Sequence, residues 1–149
     1  MSKVESADLI LKLYDLRRET KMREARNWIF GFNPTSADEI MQTMMDPEVG
    51  PYLRMVTSYW DMAATLVKHG AIDADMFSET AGEHVMIFAK IEPFLADLRE
   101  MFQKPNAFAN LESVIMAMPN GAEDVKKTQE WMKSMEGKMG TQQTSEASA

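Results

Sequence analysis

Between Tyr52 and His69 the chain carries a helical pattern that is apolar around most of its circumference. The polar residues there are Arg54, Thr57, Ser58, Asp61, Thr65 and Lys68. All but Thr57 step by four, three, four and three, and Thr57 adjoins the same narrow stripe. A helix this apolar must be covered on several sides, so it is expected at the centre of a bundle. Gly70 supplies a C-terminal stop, and His69 suits the negative end of the helix dipole.

The remaining pattern is also helical, which predicts an all-α, single-domain bundle of about six to seven helices around 52–69. No segment alternates like a strand, and the Asn120–Gly121 pair lies between two helical patterns. A first helix is expected over Ala7–Arg18, with Leu9, Ile10, Leu13, Tyr14 and Leu16 on its apolar face. Lys21–Phe30 is either a second helix capped by Thr20 or a continuation of the first. Ser36 to Glu39 is a capping box for a short helix through Met45. Asp73 caps another short helix, to about Thr80. A helix over 83–102 should be kinked by Pro93, which lacks an N–H and crowds the preceding turn. Ala107–Met118 follows. The folded domain is expected to span 1–139, with 122–139 as a peripheral amphipathic helix and 140–149 as a disordered tail without apolar residues to offset ordering.

With 149 residues the chain is long enough for a proper core. Its net charge of −7 argues against broad affinity for nucleic acid or anionic membrane. The absence of cysteine excludes disulfides, thiolate metal sites and a cysteine nucleophile. The polar start Met1–Asp8 lacks the pattern of a secretory signal, and no apolar run approaches a membrane span, so a cytoplasmic location is the expectation. Fifteen methionines are the compositional oddity; their stripes fit either a plastic core or a helix-binding surface.

Three stretches together resemble a family of bacterial helical proteins catalogued only as a domain of unknown function. They are Leu13–Arg18 with the following Arg23–Trp28, Tyr59–Met62 running into Gly70–Asp73, and Glu92–Leu95 with Leu98–Arg99. The resemblance covers about residues 9–118. It implies a helical bundle and brings no activity, cofactor or catalytic residue with it.

Recognisable catalytic patterns are missing. A di-iron bundle needs Glu-x-x-His pairs, but Ala81 stands three before His84 and Leu66 three before His69. No Gly-x-Ser-x-Gly elbow, P-loop or dinucleotide fingerprint occurs. Neither a catalytic residue, a metal site nor a cofactor is therefore expected. Five basic residues, Arg17, Arg18, Lys21, Arg23 and Arg26, form a candidate anion patch, against the alternative of pairing with Glu19 and Glu24. Val125, Trp131, Met132, Met135 and Met139 form a candidate partner surface at helical spacing. Tyr59, Trp60, His84 and Glu92 are a candidate pocket lining, with His84 expected as a hydrogen-bonded packing residue. The leading expectation is a non-enzymatic module that binds a protein partner or forms a homo-oligomer. The alternative is a small-ligand binder or enzyme with a pocket between helices.

Overall fold

The computed structural model describes the backbone of residues 2–148 and the side chains of residues 2–138. Among these lie nine α-helices, one short 3-10 turn and no strand, so the chain is all-α as its periodicity predicts. In order they are α1 (Lys3–Arg17), α2 (Thr20–Phe30), α3 (Ala37–Met45), α4 (Gly50–Lys68) and α5 (Ala74–Thr80), then α6 (Glu83–Ile91), α7 (Leu95–Met101), α8 (Ala109–Ala117) and α9 (Gly121–Ser148). The tail expected at 140–149 falls on residues whose side chains lie outside those described.

Local chemistry sets most boundaries. Ser2 accepts from the Glu5 amide at 3.1 Å, so α1 begins a turn before the expected Ala7. Glu19, rather than Thr20, caps α2 by accepting from the Met22 amide at 3.1 Å, which makes α2 a separate helix. Ser36 and Asp73 cap α3 and α5 as their motifs require. Pro93 divides the kinked helix expected at 83–102 into α6 and α7, with the Glu92–Phe94 turn between them. Gly70, at a φ of 80°, lets the Ala71 and Ile72 amides turn back onto the Leu66 carbonyl and end α4.

Helix α4 is central. It packs against α2, α3, α5 and α8, and Leu53, Val56, Tyr59, Trp60, Ala63, Ala64 and Val67 are all buried. Burying each large aliphatic or aromatic side chain contributes about 1.5–3 kcal/mol, so this helix carries much of the core's driving force. Its polar stripe meets the start of α8. Asp61 accepts from the Leu111 amide at 3.2 Å, Thr65 accepts from Asn110 at 2.9 Å, and Lys68 donates to Asn110 at 3.0 Å. The α8 N-cap position is Phe108, a left-handed residue that contributes no side-chain hydrogen bond. A carboxylate from α4 therefore satisfies a donor that α8 cannot satisfy itself. No helix among the described residues is long and apolar enough to cross a membrane.

Candidate functional site

Three of the four expected pocket residues converge, and the fourth does not. Tyr59 and Trp60 are consecutive on α4, with ring centres 4.9 Å apart in an edge-on contact. His84, in the first turn of α6, lies 5.5 Å from the Trp60 ring and 4.9 Å from Phe77 of α5. Glu92 is exposed on the far side of α6, where it accepts from Gln129 at 2.9 Å. The reason is angular: Glu92 ends α6 eight positions beyond His84, which turns it roughly 80° round the helix axis from the His84 direction.

Arg17 closes this cluster from α1. Its guanidinium lies 5.1 Å from the centre of the Trp60 ring and donates to the Tyr59 hydroxyl at 3.0 Å. That hydroxyl in turn donates to the Leu13 carbonyl at 2.6 Å. Next to it Arg26 grips Glu83 through Nε at 2.9 Å. His84 is fully buried, and both its ring nitrogens lack a hydrogen-bond partner among the described residues, as does the Trp60 indole nitrogen. The expected hydrogen-bonded histidine is thus an unpaired one. Burial, reinforced by the Arg17 charge, pushes its pKa down to about 4, so the ring is neutral near pH 7. No carboxylate orients it, and its surroundings are side chains rather than solvent. The arrangement suits packing better than proton transfer.

The basic segment does not act as one patch. Arg17 and Arg26 turn inward onto Tyr59 and Glu83. Lys21 pairs with Glu24 at 3.4 Å, and Arg18 lies over the Tyr14 ring at 5.9 Å. Arg23 and Arg18 share a shallow surface depression with Asp15 and Glu19, which cancel their charge. Spacing in sequence gathered these cations, and the break between α1 and α2 separates them.

The expected C-terminal surface divides similarly. Val125 is a core residue, which removes it from any partner surface. Met132 is half-buried against the core, while Trp131 and Met135 are exposed. Met139 lies outside the residues whose side chains are described. Met132 also lines a cleft of about 330 Å³ between α6 and α9, whose wall includes Lys90, Pro93, Phe94, Gln129, Lys133 and Glu136. Lys90 is only 6% exposed and donates from Nζ to the Phe32 carbonyl at 2.9 Å and to Asn33 Oδ1 at 3.0 Å. Sequence reasoning missed this residue. It stands among Phe88, Ala89 and Ile91, and its burial inside that apolar run was the available signal. Among the described residues no three histidine, aspartate or glutamate side chains gather as they would around a metal ion.

Helix α1 carries a feature that periodicity misassigned. Leu13 is buried as expected, but Tyr14 and Leu16 are exposed. So are Val4, at 79%, and Leu11, at 65%. Val4, Ala7, Leu11 and Tyr14 step by three, four and three, forming a second apolar stripe beside the docked face.

The family model described as a domain of unknown function (DUF4760) matches residues 3–118, from the start of α1 to just beyond α8. Neither a curated protein nor a solved structure matches the chain.

Proposed function

Because the chain belongs to the domain family of unknown function DUF4760, we propose a function from geometry alone: a helical interaction module that self-associates through α1. The observation that carries this reading is the outer stripe Val4–Ala7–Leu11–Tyr14, which has heptad spacing and leaves Val4, Leu11 and Tyr14 exposed. Charge along its edges selects the partner's orientation. Asp8 and Asp15 flank one edge, and Lys3 flanks the other. Two parallel copies set the acidic edge of one against the Lys3 edge of its partner, whereas antiparallel copies set acid against acid. The occupant is therefore a second, parallel copy of this chain.

Magnitudes set the strength. Burying Val4 and Leu11 from each copy contributes about 1.5–3 kcal/mol per side chain. That total is of the same order as the cost of association, so the dimer is weak and concentration-dependent. Sedimentation equilibrium of the whole chain tests this. The expected result is a monomer–dimer equilibrium that Leu11→Glu abolishes while leaving thermal stability unchanged, because Leu11 is exposed. A parent chain that stays monomeric, or a dimer that survives the substitution, overturns the reading.

A further inference from the structure

We propose that the cleft between α6 and α9 binds a small monocarboxylate with an apolar body, its carboxylate seated on Lys90. This is independent of self-association through α1.

The starting point is a buried charge with no carboxylate in contact among the described residues, Glu136 acting on it only from beyond ion-pair distance. Lys90 is almost fully buried, yet it forms no ion pair among the described residues. An ammonium has three donors, and the protein supplies two neutral acceptors, the Phe32 carbonyl and the Asn33 side-chain oxygen. A buried cation without a carboxylate in direct contact is costly, and buried charges in proteins are ordinarily paired. Lys90 is also part of the wall of the cleft. A ligand carboxylate placed there supplies both the third hydrogen bond and the direct ion pair that Glu136 does not make.

The rest of the cleft narrows the class. Its volume of about 330 Å³ lies at the small end of ligand sites. Pro34, Pro93, Phe94 and Met132 present apolar surface for an aliphatic or aromatic body. Lys133 adds a second cation, whereas Glu136 contributes an opposing negative charge. One buried ammonium facing a nearby carboxylate, with no arginine in the lining, suits a single negative charge better than a doubly charged phosphate.

Titration of the whole chain, labelled with ¹³C in its methionine methyl groups, tests the proposal with hexanoate as probe and hexan-1-ol as its neutral counterpart. Met132→Leu identifies the reporting signal. Hexanoate is expected to shift the Met132 methyl saturably, and the alcohol to bind at least about tenfold more weakly, the loss of one charge-assisted hydrogen bond. Lys90→Met, which keeps the stem and removes the charge, is expected to weaken hexanoate by about the same factor and leave the alcohol unaffected. Equal binding of acid and alcohol, or no saturable shift of Met132, overturns the proposal. The acid–alcohol comparison uses the unaltered chain, so it decides even where Lys90→Met fails to fold.

Discussion

His84 stores a pH dependence in a single side chain. Its ring is neutral in the folded protein, with a pKa of about 4 against an ordinary 6.5. Folding therefore favours the unprotonated form. Above about pH 6.5 this contribution to stability is complete. As pH falls toward 4, the unfolded chain takes up a proton that the folded chain resists, and roughly 3 kcal/mol is lost. Below that, both states are protonated and nothing further changes. Urea unfolding at about pH 7 and about pH 4.5 measures the loss. His84→Leu removes two unpaired nitrogens from an apolar site, so it is expected to cost little at neutral pH and to abolish this part of the acid sensitivity. Equal acid sensitivity in parent and variant would assign the effect to carboxylates instead. Residue identity made Tyr59, Trp60 and His84 legible as a cluster, since all three sit on apolar helical faces. Glu92 stands apart from them, eight positions beyond His84, an offset of roughly 80° round the helix that carries it to the exposed side.

At the level of the helix, the polar stripe of α4 is a docking device rather than a solvated edge. Its lower half, Asp61, Thr65 and Lys68, meets the first turn of α8, where Phe108 provides no side-chain cap. Asp61→Ala is therefore expected to cost about 0.5–2 kcal/mol, the range for losing a helix cap. Asp61→Asn, which retains an acceptor, should recover most of it. Hydrogen exchange of the Leu111 amide localises the effect: faster exchange there with an unchanged α2 supports the cap, and uniform acceleration refutes it. The caps at Ser36 and Asp73 were legible because donor and acceptor lie three residues apart in the chain. The Asp61 cap was not, because its partner lies fifty positions away. Helix α1 was half-legible for a related reason. Leucines, a tyrosine and Val4 surround most of its axis, and only packing decides which face meets the core.

Across the whole molecule, α9 lies beyond the residues matched by the family model, yet it closes one side of the fold. Gly121 starts it, where a Cβ would come within 1.9 Å of the Ile115 carbonyl oxygen, so a side chain there would force α9 away from α8. Val125 then enters the core, and Gln129 donates to the Ala89 carbonyl at 3.1 Å. Helix α9 thereby forms the second wall of the cleft that Lys90 lines. Val125→Asp introduces an unpaired charge into this seam, and releasing α9 is the least costly way to solvate it. The expected outcome is fast amide exchange across α9 and α6, with α2 and α4 still protected, because those two pack against each other without α9. Hexanoate binding should disappear in the same variant, whereas association through α1 should persist. Those opposite responses make the two ends of the molecule separable: a seam whose loss abolished both would mean that α1 depends on α9 for its position, and one whose loss left hexanoate bound would place the acid somewhere other than over Lys90.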